Sequence, residues 1–184
     1  HGDDQAETVL KRICEGAGLK GLGGLRKKRQ MDDLMIWRPL LSVRKKHIYS
    51  YLKTKNLQPI EDRTNQDSKY LRGRMRSKIF PELEKHFGKQ IGNNFNYLAE
   101  LFQEMQGYFD EKIDRVEEHL IKGPFGDYLD LTPSFHPLEL KCFFQKYAEE
   151  RGVKLSRMAC KLLLELIRKK KPSQRAEASP LTFI

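Results

Sequence analysis

Cysteine is scarce in this sequence. Three stand among 184 residues, Cys14, Cys142 and Cys160, an odd number with no C-x-x-C spacing. That pattern excludes a disulfide framework and a zinc ribbon, and it suits core thiols in a reducing compartment. Long apolar runs are missing too. Nothing approaches the ~20 residues of a membrane span and no apolar signal stretch opens the chain, so the expected location is the cytoplasm, with no membrane partner. G-x-x-x-x-G-K-[ST] does not occur, and the one G-x-G-x-x-G, Gly16-Ala17-Gly18-Leu19-Lys20-Gly21, follows a predicted helix rather than a strand, which leaves no P-loop and no Rossmann phosphate cradle. The chain has no internal repeat. It begins with His1 rather than Met, and it reads as a piece of a longer protein.

Charge is abundant. Lys and Arg number 35 against 25 Asp and Glu, a net charge of +10. The excess is clustered at Arg26–Arg29, at Arg44–Lys46, at Arg72, Arg74, Arg76 and Lys78, and at Arg168–Lys171. One such block is ordinarily a solvated surface. Four on a chain this short point to a polyanion, because each phosphate contact releases condensed counterions. With 39% hydrophobic residues the chain is too apolar for disorder.

The apolar periodicity changes along the chain. Val9, Leu10, Ile13 and Cys14 predict a helix over 4–14, stopped by Gly16-Ala17-Gly18, and a glycine-rich loop follows. Leu34–Trp37 reads as a strand that ends at Arg38-Pro39. Ser42 is placed to cap a helix over 43–55, and Leu57–Ile60 reads as a second extended segment. Together these suggest part of an α/β sheet. From Ile91 to Leu120 apolar residues step by threes and fours without a break, which predicts one long helix with Glu100, Glu104, Asp110, Glu111, Asp114, Glu117 and Glu118 outside. Gly123-Pro124 should end it. A helix beginning near Pro133 or Pro137, and another capped by Ser156, complete an expected all-helical second half with an irregular tail after Pro172. The expected division is 1–88 and 89–184.

Two clusters could carry chemistry. In His1-Gly2-Asp3-Asp4-Gln5-Ala6-Glu7-Thr8, the carboxylates of Asp3, Asp4 and Glu7 share a helix face. Spacing alone favours simple capping of a first turn, with a box between Asp4 and Glu7. In the second cluster, Glu61, Asp62, Asn65 and Asp67 precede Arg72-Gly73-Arg74-Met75-Arg76. If helical, it puts Arg72 and Arg76 on one face and Leu71, Met75 and Ile79 inward. Guanidinium forks suit phosphate, while an Arg–carboxylate network with Glu61, Asp62 and Asp67 is equally compatible.

Taken in order, these segments resemble the tRNA(Ile)-lysidine synthases, one of the N-type ATP pyrophosphatase (PP-loop) families. Residues 1–8 look like H-x-D-D-Q-x-E-T, 16–22 like the glycine loop and 38–41 like R-P-L-L. Glu61-Asp62 with Asn65 and Asp67 looks like E-D-x-[ST]-N-x-D, and 72–76 like R-N-R-x-R, with Gly73 in place of Asn. Glu15 stands where a basic residue is common, and the family's S-G-G-x-D-S loop, which precedes the histidine motif, is absent from these 184 residues. The match covers roughly residues 1–85.

The resemblance implies an α/β PP-loop domain (its C-terminal part, over 1–88) followed by an all-α tRNA-binding domain. It implies a ligase that uses ATP and Mg²⁺ to adenylate C2 of the wobble cytidine in tRNA(Ile) with a CAU anticodon. The ε-amine of free lysine then attacks C2, and AMP leaves. By the same resemblance His1, Asp3, Asp4 and Glu7 are catalytic, Asp4 and Glu7 hold lysine, Asp3 and Asp4 are candidate Mg²⁺ ligands, and Arg72, Arg74, Arg76 and Arg38 hold tRNA or nucleotide phosphate. This chain alone is expected to be inactive, and its oligomeric state is left open. Two other readings stand: a PP-loop enzyme modifying a tRNA base differently, against which the missing C-x-x-C speaks for thiolation, and a non-catalytic basic RNA-binding module.

Overall fold

A computed structural model describes residues 1–60, 69–88, 90–169, 176–178 and 181–183. The chain divides into two compact units, His1–Gln106 and Gly107–Ile184.

In the first unit, α1 (Gly2–Cys14) begins on a capping box. His1 Nδ1 accepts from the Asp4 amide at 3.4 Å, and the Asp4 carboxylate lies 2.9 Å from the His1 nitrogen. The box therefore joins His1 and Asp4, not Asp4 and Glu7. The helix ends in a Schellman motif, in which Gly16 N–H donates to Ile13 O at 3.0 Å and Ala17 N–H to Arg12 O at 2.9 Å, with Gly16 at φ +66°. The buried face is Gln5, Ala6, Glu7, Thr8 and Val9, while Ile13 and Cys14 are exposed. Cys14 is thus not a core thiol.

A short helix, α2 (Leu19–Leu22), lies in the glycine-rich loop. Three side chains fasten that loop. Arg12 Nη1 donates to Gly21 O at 2.5 Å and Gly24 O at 2.7 Å, Gln5 Oε1 accepts from Leu25 N at 2.6 Å, and Gln103 Nε2 donates to Gly23 O at 2.5 Å. Gly24 sits at φ +66°, and a Cβ there would come within 2.5 Å of Gln5 Oε1.

The expected strand at Leu34–Trp37 is present as β2, but its partner is β1 (Lys28–Met31), whose residues read in sequence as a basic block. They form an antiparallel hairpin with Met31 opposite Leu34, turning through Asp32 at φ +52°. Leu57–Ile60 is not a strand. Helix α3 (Lys45–Thr54) starts two residues later than expected, with Arg44 rather than Ser42 as its N-cap residue. Its cap is tertiary: Asp3 Oδ2 accepts from Lys45 N–H at 2.6 Å. Glu61, Asp62, Asn65 and Asp67 lie outside the described residues.

Residues 71–87 form one helical run, α4 (Leu71–Arg74), a π-helical turn (Met75–Ile79) and α5 (Phe80–Phe87). Pro81 explains the π turn: it has no N–H for Ser77 O, and its ring would strike that carbonyl in a regular helix. Helix α6 (Ile91–Glu117) has 27 residues, about 40 Å of helix, and carries its acids on exposed positions.

The second unit is helical but not all-α. The periodic stretch leaves the helix at Glu117, and β3 (Leu120–Gly123) pairs with β4 (Gly126–Leu129), so Gly123-Pro124 belongs to a hairpin. Helix α7 (Pro137–Glu150) opens on a His136–Glu139 capping box, and α8 (Arg157–Lys169) on Ser156 Oγ, which accepts from Ala159 N–H at 3.1 Å. Within the tail read as irregular, β5 (Ala176–Ala178) pairs with β6 (Leu181–Phe183). The core gathers Ile113, Val116, Phe143, Phe144, Ala148 and Leu163, and Phe183 meets Phe144 edge-on at 5.6 Å.

Candidate functional site

A cleft of about 790 Å³ opens in the first unit where the start of α1 meets α3, the π turn and the start of α6. His1, Asp3, Asp4, Glu7, Arg44, Lys45 and Arg76 line it. The volume suits a small-molecule ligand. The acidic cluster and one arginine of the basic cluster, distant in sequence, therefore share a site.

Glu7 is the anchor. It is only 3% exposed, and a carboxylate so buried needs a matched cation. Arg76 supplies it as a fork, Nε to Glu7 Oε1 at 2.5 Å and Nη2 to Glu7 Oε2 at 3.0 Å, while Nη2 also reaches Asp4 Oδ1 at 3.0 Å. The hydrogen bond to Glu7 raises the Arg76 pKa above its ordinary value, against the opposing pull of burial, and the Glu7 and Asp4 charges add to the rise. The π turn aims this arginine inward. Met75 beside it is buried at 3% exposure, whereas Leu71 and Ile79, expected to pack inward, are exposed.

Asp3 answers to a residue that sequence reasoning treated only as part of a basic block. Arg44 Nη2 lies 2.8 Å from Asp3 Oδ1, and its Nη1 donates to Asn93 Oδ1 at 2.6 Å. Two glycines make room for it. A Cβ on Gly92 would come within 2.8 Å of Arg44 Nη1, and one on Gly2 within 3.3 Å of Arg44 Cδ. The doublet of glycines facing an arginine has no local sequence signature, since Gly2 and Gly92 are far apart in the chain.

Arg72, Arg74 and Arg38 are not in the cleft lining. Arg72 and Arg74 are exposed, with Arg74 Nη1 on Lys69 O at 2.8 Å. Arg38 closes the hairpin base, donating from Nη1 to Arg26 O at 3.1 Å. Of Arg72 and Arg76, expected on one face, Arg76 lies within the π turn and lines the cleft, and Arg72 does not line it.

Asp3 and Asp4 do not fit Mg²⁺ ligation in this arrangement. Their oxygens already meet Arg44, Arg76, Lys45 N–H and the His1 nitrogen, and among the described residues no cluster of three or more His, Cys, Asp or Glu could hold a metal ion.

Residues 1–83 match the PP-loop domain family. Over 172 residues the chain is 37% identical to the tRNA(Ile)-lysidine synthase of Protochlamydia amoebophila, covering 92% of this chain and 38% of that protein. It is 43% identical over 122 residues to the tRNA(Ile)-lysidine synthase of Chlamydia caviae, covering 66% of this chain and 38% of the relative, and 37% identical over 129 residues to that of Chlamydia muridarum, covering 70% and 40%. The chain spans about two fifths of the length of these relatives. Residues 1–83 thus belong to the PP-loop domain family, and over most of its length the chain is similar to the tRNA(Ile)-lysidine synthases.

Proposed function

We propose that the protein carrying this chain is a tRNA-modifying ligase that joins lysine to C2 of the wobble cytidine in tRNA(Ile) with a CAU anticodon. ATP is a substrate: the C2 oxygen attacks its α-phosphorus, pyrophosphate leaves, and C2 is activated as an adenylate. The lysine ε-nitrogen forms the new C–N bond, AMP leaves with the bonding pair of the C2–O bond, and the amine proton passes to a base. The single observation that carries the reading is the cleft in which the acidic α1 face meets Arg76. Asp4 is 26% exposed and reaches the cleft, so it is the carboxylate placed to meet an entering ammonium and accept its proton. Glu7, buried and forked by Arg76, acts by fixing that guanidinium and, through it, Asp4. His1 holds the first turn in register through its cap. Arg38, Arg72 and Arg74, outside the cleft, are assigned to tRNA phosphate. No step is assigned to a metal ion, because the two aspartates are occupied by guanidinium groups. Domains 1–88 and 89–184 correspond in this reading to the catalytic and the tRNA-binding parts.

The test is incorporation of radiolabelled lysine into a tRNA(Ile) transcript with a CAU anticodon, using the natural polypeptide that contains these residues. Asp4→Asn should lower lysine transfer by 10²-fold or more, the range for a positioned acid–base group, while adenylation, read as pyrophosphate release without lysine, persists. Unchanged lysine transfer in Asp4→Asn would leave the acidic face with only its capping role.

A further inference from the structure

Hairpin β1–β2 lies outside the cleft and has no role in the reading above. Among the described residues its two strands pair only with each other. All of Arg26, Lys27, Lys28, Arg29 and Gln30 are exposed, and among the described residues none of the four cations has an ion-pair partner. Opposite them, Leu34, Met35 and Trp37 are 67%, 62% and 66% exposed. The register places Lys28 against Trp37 and Gln30 against Met35, so these four side chains share one face.

An indole left two-thirds in water is a cost that soluble folds usually avoid, and here it is ringed by unpaired positive charge. That combination is what a single-stranded nucleic acid requires: a flat π face for a base, cations for the phosphates on either side, and a polar amide within reach of a base edge. A second copy of this chain fits the charge worse, since strand pairing along β1 would set Arg26–Arg29 against the same block. We propose that this hairpin face is a docking surface for unpaired RNA, with one base stacked on Trp37 and a flanking phosphate held by Lys28 beside it on the same face. The inference rests on the RNA-substrate reading and adds to it a surface separate from the cleft.

Trp37 is the only tryptophan among these 184 residues, so the signal that Trp37→Phe removes from the natural polypeptide reports on this face. Titration with oligocytidylate should quench its fluorescence, whereas polyphosphate, which has charge but no bases, should not. Trp37→Ala should weaken retention of the oligonucleotide on filters by roughly tenfold, the effect of removing one stacked base, and Trp37→Phe should restore most of it. Replacing Lys28 by Ala, which keeps the fluorophore, should weaken quenching and flatten its salt dependence by up to ~0.7 for the lost contact, while Arg29→Ala on the opposite face should change the quenching less. Circular dichroism separates these effects from unfolding. Retention of RNA without quenching, or equal quenching by polyphosphate, overturns the stacking surface while leaving the RNA-substrate reading intact. No retention at all by the natural polypeptide removes that reading and this inference together. A concentration-dependent blue shift without RNA, with a dimer mass in sedimentation, assigns the face to a second copy and overturns the proposal.

Discussion

Removing the arginine from the Glu7 fork tests the most consequential contact in the first unit. Arg76→Met keeps much of the side-chain volume and deletes the guanidinium. Glu7, 3% exposed, is then left as a buried carboxylate whose former partner atoms stood 2.5 and 3.0 Å away. Breaking a fully buried pair costs about 3–5 kcal/mol. Arg76 is 29% exposed, so water can enter the vacated space, and the expected cost is lower, about 2–3 kcal/mol. Glu7→Gln should cost less, about 1 kcal/mol, because an amide oxygen can still accept from Arg76 and Arg76 keeps Asp4 at 3.0 Å. The double variant removes both charges and should cost clearly less than the sum, with a coupling of about 1–2 kcal/mol. In urea, with slopes of about 1–3 kcal/mol per molar, Arg76→Met should move the midpoint down by roughly 1 M. The two units need not unfold together, so amide exchange in α1 should be followed beside circular dichroism. If the two single effects add within ~0.5 kcal/mol, the fork does not hold Glu7, and its burial has another explanation.

Two further outcomes follow from the same geometry. Cys14 is exposed, whereas burial raises the pKa of the Cys142 and Cys160 thiols and so lowers their thiolate fraction at neutral pH. A thiol reagent should therefore label Cys14 quickly, label the other two slowly and faster as pH rises, and reach all of them in denaturant; equal rates in the folded protein would contradict the burial. For tRNA, Arg72→Ala with Arg74→Ala should reduce the slope of log affinity against log salt by up to ~0.9 per lost contact, while Arg76→Ala should leave the slope unchanged in filter retention, because its guanidinium is engaged by Glu7 and Asp4.

What the sequence made legible depended on how local the signal was. Helices α1, α7 and α8 were readable because caps and apolar spacing lie within a few residues of one another, and Ser156, Gly16 and the 140–148 stripe act where they stand. The long helix was readable but its end was not. Leu120 continues the three-four spacing, yet its partner is Leu129 across a hairpin, and pairing across a turn leaves no mark on helical periodicity. The basic block at 26–29 concealed β1, since a strand with exposed residues throughout shows no alternation between apolar and polar positions.

The candidate site shows the same limit with larger consequences. Counted along the chain, Asp3, Asp4 and Glu7 form a repelling trio that demands a cation, and that demand was visible. The identity of the cation was not, because Coulomb attraction has no sequence spacing. The nearest stretch of positive charge in the chain does not supply it; Arg44 does so for Asp3, and Arg76 for Glu7 and Asp4. Arg76 stands within the π turn, one turn ahead of Pro81, and from there its guanidinium meets Glu7 and Asp4. Within Arg72, Arg74 and Arg76, three residues of one type in one short run, it is the position on the helical run that decides which arginine completes the cleft and which remain exposed at the surface.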